Sequence, residues 1–206
     1  MEQAAPHADE LYTDHLGSVI ALKKGKSNDK NILLAAHHPA LSGGAYGGRQ
    51  PLKRHLFPLT EASPGLWLPL PVLGSAYAAF RQNVGTPRDQ SFAAYGQLAD
   101  ALQKILQNQG QMVYASAHDY SQQLLAKKES YQLVSGSLLQ SEPAANLGGT
   151  LFRSSRKGFS RLIYEPDGAV WAEFFSIKNG NVRLRQRVQL YRPACSQVTG
   201  TPPNRQ

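Results

Sequence analysis

Residues 31 to 39 read NILLAAHHP, an apolar run of strand length that leads directly into two histidines and a proline. A run that is apolar on both faces is typical of a buried strand near the centre of a sheet. MVYASA, residues 112 to 117, has the same character and leads into His118. We therefore expect two buried strands, each followed by histidine, in the core of one domain.

The periodicity elsewhere predicts helices beside these strands. Apolar side chains at near-helical spacing predict an amphipathic helix over residues 8 to 22, with Leu11, Leu16, Val19 and Ile20 on its apolar face. A second helix is predicted over residues 89 to 108, with an apolar face made of Phe92, Tyr95, Leu98, Leu102, Ile105 and Leu106 and a stop at Gly110. YQLVSG, residues 131 to 136, is a third strand. The predicted fold class is α/β, with a β-sheet core and flanking helices.

Beyond residue 158 the pattern changes to strands joined by tight turns. Pro-Asp-Gly at 166 to 168 and Asn-Gly at 179 to 180 separate three apolar runs, which predicts a carboxy-terminal antiparallel β-meander over residues 159 to 191. Strict alternation in the last strand predicts a basic stripe on one exposed face, opposite Leu184, Val188 and Leu190. The basic residues of this stripe are Arg183, Arg185 and Arg187.

We expect one domain over residues 1 to 192 and a polar, disordered tail over 193 to 206. In residues 49 to 88 the apolar positions follow no sustained helical or strand periodicity. This predicts an irregular insertion with one short helix at 75 to 81. The most apolar stretch, LWLPLPVLGSAYAAF at 66 to 80, is too short and too rich in proline for a transmembrane helix. Burial of this stretch is the favoured interpretation, and contact with lipid or a partner is the alternative.

The amino-acid composition indicates which kinds of ligand and binding site to expect. A formal net charge of +8 is compatible with an anionic ligand, such as a phosphorylated small molecule, but basic residues on a solvated surface are the favoured interpretation of it. Nucleic acid is not expected, because no recognition motif and no stacking aromatics accompany the basic residues. Cys195 is the single cysteine, which excludes an intrachain disulfide and a thiolate metal cluster. The amino-terminal residues lack a secretory signal, which predicts a cytoplasmic protein or a chain taken from a longer, exported precursor.

The histidines at the two strand ends predict a metal site. Side chains beyond the carboxyl ends of neighbouring strands in an α/β sheet converge on one crevice, and His37, His38 and His118 hold that position here. Neutral imidazoles suit Zn, Mn or Fe. A single strand-end histidine is more often a structural residue than a ligand, so from the residues alone both interpretations stay open.

Three segments carry a family resemblance. AAHHPALSGGAYGG at 35 to 48, ASAHDYSQQL at 115 to 124 and YQLVSGS at 131 to 137 resemble elements of calcineurin-like metallophosphoesterases, in particular the purple acid phosphatase-like members. The resemblance covers about residues 31 to 191. It implies the carboxy-terminal half of that fold and a metal-dependent phosphoester hydrolase.

The resemblance also implies roles for individual residues. His37 and His118 are expected to bind one metal ion, which is Fe, Mn or Zn, and His38 is expected to serve catalysis beside it or facing the substrate. Tyr46 in the glycine loop is expected to contact the substrate through its hydroxyl. Tyr120 stands where the family has the histidine of a second metal site, so we expect one metal site to be retained and Tyr120 to face the substrate.

The family takes its other ligands from Asp-x-His, Gly-Asp-x-x-Asp and Gly-Asn-His elements ahead of the HHP strand. None of these appears among the 36 residues before His37. Two-metal hydrolysis needs ions bridged by such ligands. We therefore expect an incomplete and impaired hydrolase whose partner is a missing amino-terminal half. The alternative is a non-catalytic binding module derived from the same fold.

Overall fold

The computed structural model describes residues 10–13, 19–22, 32–60, 62–108 and 111–192. The helices in these ranges are α1 (Leu52–Leu56), α2 (Pro71–Asn83) and α3 (Ala93–Asn108), and two 3-10 turns cover Ala45–Gly47 and Pro58–Thr60. The strands are β1 (Glu10–Thr13), β2 (Val19–Leu22), β3 (Ile32–Ala35), β4 (Met112–Ser116), β5 (Gln122–Lys127), β6 (Ser130–Ser135), β7 (Thr150–Ser154), β8 (Gly158–Tyr164), β9 (Val170–Lys178) and β10 (Asn181–Tyr191).

Two sheets form the centre of the molecule. One is mixed, in the order β1-β2-β3-β4-β6-β5-β7, and the other is antiparallel, in the order β10-β9-β8. Strands β3, β4 and β6 are parallel neighbours, so their carboxyl ends share one edge. The predicted α/β class and the carboxy-terminal meander are confirmed.

The mixed sheet has a separate apolar core on each face. On one face α3 packs against β3 and β4 through Leu34, Leu102, Leu106, Met112 and Tyr114. On the other face the antiparallel sheet contributes Val170, Phe174 and Leu190 to a cluster with Val113 and Leu124. The predicted apolar face of the second helix is confirmed, and this helix begins at Ala93, four residues later than the sequence predicts.

The helix predicted over residues 8 to 22 is wrong for the residues that the structure describes there. Glu10–Thr13 and Val19–Leu22 are antiparallel partners in the mixed sheet. Segments this short contain too few apolar residues to separate a helical period from a strand. Val19 and Ile20 are β-branched, and their stiff side chains favour the extended backbone.

Strand β3 is less buried than its sequence predicts. Leu34 is fully buried, whereas Leu33 on the opposite face is 45 % exposed. The antiparallel sheet packs on β4, β5 and β6 and leaves this face of β3 uncovered. Two further strands, β5 and β7, were not predicted, because the buried residues Gln122 and Gln123 give β5 a polar sequence.

The insertion at residues 49 to 88 is more regular than its sequence predicts. It contains α1, a 3-10 turn and α2, which replaces the short helix predicted at 75 to 81. The predicted burial of residues 66 to 80 is wrong: Trp67 is 56 % exposed and Leu73 is 62 % exposed. In α2 the residues that pack inward are Gly74, Ala78 and Arg81, so the large apolar side chains point outward.

The predicted basic stripe on β10 is interrupted by a bulge. Arg183 lies opposite Ser176, but the register shifts between Leu184 and Gln186, and Arg187 then lies opposite Glu173. Ser176 and Glu173 are three residues apart in β9 and therefore belong to opposite faces of the sheet. Arg183 and Arg187 do not share a face, so the strand carries no continuous row of arginines.

The disordered tail predicted at 193 to 206 and the helix stop at Gly110 lie outside the described residues. Within the described ranges, no helix combines the length and the apolarity that crossing a bilayer requires.

Candidate metal centre

Parallel pairing of β3 and β4 brings the two predicted strand ends together. Ala35 pairs with Ala115, and the ladder continues past the strands through a hydrogen bond from the backbone N–H of Ala117 to the carbonyl of His37. This register places His37 and His118 side by side at the carboxyl edge of the sheet. The convergence that the sequence predicts is therefore a consequence of strand register.

The three strand-end histidines form one cluster. Nε2 of His37 lies 3.2 Å from Nδ1 of His118. The His38 ring lies 4.9 Å from that of His37 and 4.5 Å from that of His118, measured between centroids. One nitrogen from each of the three rings falls within 4.8 Å of the others.

A backbone contact orients the His118 ring. Its Nε2 lies 2.9 Å from the carbonyl oxygen of Arg88, which only accepts hydrogen bonds, so Nε2 donates. In the neutral ring Nδ1 then carries a lone pair directed at His37. Burial lowers the pKa of His118 below its ordinary value of 6.5, against the opposing effect of the Arg88 carbonyl. Low pKa and fixed tautomer both suit a metal ligand.

The backbone at His118 is strained. Its φ is 62°, in the left-handed region, and the N–H of Asp119 bonds to the carbonyl of Ala117 across it. A three-residue turn with positive φ at its centre is rare, and it persists only where the surroundings enforce it. The turn aims the His118 ring at His37 rather than along the strand.

A cleft of about 410 Å³ opens beside the cluster, lined by His37, His118, Tyr46, Tyr120 and Arg88, together with Asp119, Ala117, Gly136 and Ser137. The Tyr46 ring packs on the His118 ring, with 4.5 Å between centroids. Burial, followed by the hydrogen bond with Tyr120, raises the pKa of Tyr46 to about 12. Tyr46 thus keeps its proton at neutral pH and offers a hydroxyl to the cleft. Arg88 contributes an exposed positive charge.

Buried glutamines hold the glycine loop against the sheet. Gln123 of β5 accepts the N–H of Gly43 at 2.8 Å, and Gln132 of β6 accepts the N–H of Leu41 at 2.8 Å. A side chain at Gly44 is excluded, because its Cβ would lie 2.4 Å from Oδ1 of Asp119. The loop therefore carries Tyr46 to a fixed place above His118.

Asp119 is a site residue that the sequence analysis missed. Its side chain is 1 % exposed, and Oδ2 has no hydrogen-bond partner. Burial raises the pKa of this carboxyl to about 6, against hydrogen bonds from Ser42 and from the backbone N–H of Tyr46. The signal available in the sequence was an acidic residue directly after a strand-end histidine.

His38 is the buried member of the cluster and does not line the cleft. It is 5 % exposed, and the Tyr95 ring packs against it at 4.9 Å. The hydroxyl of Tyr95 donates to the carbonyl of Pro39, and that of Tyr114 donates to the carbonyl of His38. His38 was expected either beside the metal ligands or facing the substrate. The structure places it beside His37 and His118.

A buried ion pair supports the loop that carries Arg88. Arg81 of α2 donates from Nε and Nη2 to the two carboxylate oxygens of Asp89, at 2.6 and 2.5 Å. Asp89 also accepts the N–H and the hydroxyl of Thr86. The next residue, Gln90, donates its N–H to the carbonyl of Tyr46. The pair ties α2, the Arg88 segment and the glycine loop into one unit beside the cleft.

The donor set suits a transition metal ion. Two tetrahedral ligands about 2.0 to 2.1 Å from Zn²⁺ lie about 3.3 Å apart, close to the 3.2 Å between the facing nitrogens of His37 and His118. Imidazole nitrogen is a preferred donor for Zn and Fe. Among the described residues, no carboxylate joins the histidine cluster.

The structure thus brings together all five residues that the sequence marked. His37, His118, Tyr46 and Tyr120 line the cleft, and His38 is buried within the histidine cluster. Arg88 was missed because no local pattern in the sequence indicates that its carbonyl reaches His118 or that its side chain lines the cleft.

The sequence matches no protein-family profile and no curated protein. Among solved structures, the chain is similar to one described as "GAP50 the anchor in the inner membrane complex of Plasmodium", with 23% identity and a TM-score of 0.40. The alignment covers 46% of this chain and 30% of that chain.

Proposed function

We propose that this chain is the carboxy-terminal part of a calcineurin-like metallophosphoesterase domain that binds Zn, Mn or Fe through His37 and His118 and takes a phosphoester into the adjoining cleft. The observation that carries the proposal is the 3.2 Å separation of the two facing imidazole nitrogens. Two side chains 81 positions apart in the sequence reach this separation on adjacent parallel strands.

The groups around the cleft have the chemistry that a phosphoryl group requires. Arg88 supplies the positive charge, and the hydroxyls of Tyr46 and Tyr120, which are hydrogen bonded to each other, leave one O–H to donate to a phosphoryl oxygen. A metal ion held by the histidines supplies Lewis acidity toward phosphate. His38 packs against both ligand rings and holds their orientation.

Hydrolysis by the isolated chain is expected to be weak. The part of the chain that the structure describes places three histidines and no carboxylate in the cluster. A second ion has no ligand set among the described residues of the cluster. Full activity in this proposal requires the amino-terminal half of the fold.

The test is metal and phosphate binding together with turnover. Zinc titrated calorimetrically should bind once per chain, and inorganic phosphate should bind the zinc-loaded protein more tightly than the zinc-free protein. His118→Asn removes the imidazole but tolerates positive φ, so it should lose zinc binding with the fold intact. His55→Asn in α1 is the matched control and should bind zinc normally. Zinc binding that survives His118→Asn contradicts the proposed site.

A non-catalytic binding module is the second candidate, and the absence of a carboxylate from the described histidine cluster favours it. Hydrolysis of p-nitrophenyl phosphate with added Zn, Mn or Fe separates the two. Slow, metal-dependent turnover that His118→Asn abolishes supports the hydrolase. Zinc and phosphate binding with no turnover, even when the amino-terminal half is supplied, supports the module.

A further inference from the structure

Helix α2 packs inward through small residues and presents its large ones to solvent. Gly74 lies so close to α1 that a Cβ there would be 2.2 Å from the carbonyl oxygen of His55. Gly74, Ala78 and Arg81 are its buried residues, spaced to form a single stripe. Every large apolar residue of this helix is therefore on its outer side.

Large apolar residues are exposed both on this outer side and in the segment just before the helix. We call them together the apolar face, which consists of residues 66–68 with Val72, Leu73, Tyr77, Phe80 and Val84. Val72 is 80 % exposed and Phe80 is 45 % exposed. A helix at a protein surface normally places polar residues outward. An apolar face of this kind on the outside of a helix marks a contact surface for a partner or a membrane.

Exposed cations lie in the same segment of the chain as this face. Of the five basic residues in 49 to 88, Arg81 is neutralised by Asp89 and Arg54 by Glu142, which leaves Arg49, Lys53 and Arg88. Nζ of Lys53 lies 4.5 Å above the Trp67 ring, so one cation is part of the face itself. Arg49, Lys53 and Arg88 are exposed.

We infer that the apolar face docks in the plane of an anionic lipid bilayer. A bilayer surface offers apolar depth for Val72, Leu73 and Phe80 and a negative potential for the exposed cations. Trp67 and Tyr77 are the residue types that settle at the headgroup level, where one end of the ring is apolar and the other is wet. The helix lies on the membrane and does not cross it.

Vesicle binding by the full chain tests the inference. Trp171→Phe leaves Trp67 as the single tryptophan, so its emission reports on the apolar face alone. On vesicles of phosphatidylcholine and phosphatidylserine in equal parts, that emission should shift to the blue and the protein should sediment with the lipid. Phe80→Glu should lower the partition coefficient about tenfold or more, because a carboxylate opposes insertion. Leu139→Glu, at a position 83 % exposed outside this face, should leave binding unchanged.

The charge contribution has its own control. Lys53→Gln should weaken binding to anionic vesicles roughly fivefold, as expected for one cation near the surface. Lys178→Gln, at the end of β9, should have no effect. Three outcomes would overturn the inference. The protein does not bind the anionic vesicles, it binds pure phosphatidylcholine vesicles equally well, or Phe80→Glu and Leu139→Glu lose the same amount of vesicle binding. A dimer that Phe80→Glu dissociates, without vesicle binding, also overturns it and assigns the face to a second copy.

Discussion

The imidazole of His118 is hydrogen bonded to the backbone carbonyl of Arg88, 30 residues away and at the end of the insertion. The carbonyl accepts a hydrogen bond from Nε2–H, so it selects the tautomer in which Nδ1 has its lone pair and faces His37. The insertion, whose sequence contains no catalytic motif, therefore sets the tautomer of His118.

We predict that His118 in the metal-free protein carries its proton on Nε2 and titrates below 6.5, because burial opposes the charged form. Between its lowered pKa and 6.5 the unfolded chain binds a proton that the native ring does not, so this residue makes the free energy of unfolding fall as pH falls. Nitrogen-detected NMR across pH 4 to 8 gives both tautomer and pKa. A Nδ1-protonated ring contradicts the assignment.

Asp119→Asn should stabilise the metal-free protein at pH 7.5 by about 1–3 kcal/mol, since the native carboxyl has a pKa of about 6 and the unfolded one about 3.8. Between these values the native state holds a proton that the unfolded state has released, so stability falls as pH rises. Urea unfolding at pH 7.5 and pH 3.5 measures the effect. The gain should vanish at the lower pH, and a gain that is equal at both would exclude the carboxyl as its cause.

Gly44→Ala should destabilise the protein by about 1–3 kcal/mol and weaken zinc binding, because the new methyl group overlaps Oδ1 of Asp119 beside His118. The φ of Gly44 is −83°, so the cost is steric and not conformational. Gly65→Ala is the matched control, since no atom lies within 4 Å of its added Cβ. In thermal melts and zinc titrations, Gly44→Ala should show a lower melting temperature and weaker zinc binding than Gly65→Ala. If the two variants behave alike, the loop can move to accommodate the methyl group.

Asp89→Asn should cost about 3–5 kcal/mol, because it leaves the buried guanidinium of Arg81 without its counter-charge. Arg161→Gln is the control: this arginine is 58 % exposed, and its partner Glu173 keeps Arg187 at 3.5 Å, so the cost should stay within about 1 kcal/mol. Denaturant unfolding measures both. Similar losses in the two variants would mean that the buried pair contributes little to the loop beside the cleft.

Part of the fold could be predicted from local sequence patterns. Turn chemistry at Pro-Asp-Gly and Asn-Gly predicted the meander, and Asn179 and Gly180 do adopt positive φ there. Strand β5 was not predicted, since its buried glutamines bond to segments distant in sequence: Gln123 to the glycine loop and Gln122 to β8. The bulge at Arg185 was equally invisible, because alternation in a sequence carries no record of a register shift.

The amino-acid sequence alone determined that two apolar strands end in histidine, that a glycine loop follows the first, and that the chain is α/β with a β-meander after it. Tertiary structure decided the geometry of the site: nitrogens of His37 and His118 lie 3.2 Å apart, and the Arg88 carbonyl orients the His118 ring. It also decided that Asp119 is buried beside His118 and that α2 exposes its large apolar side chains. The physical reason is that hydrophobic period and turn chemistry act over a few neighbouring residues. Ring orientation, pKa and exposure depend on atoms that only strand register and packing bring close.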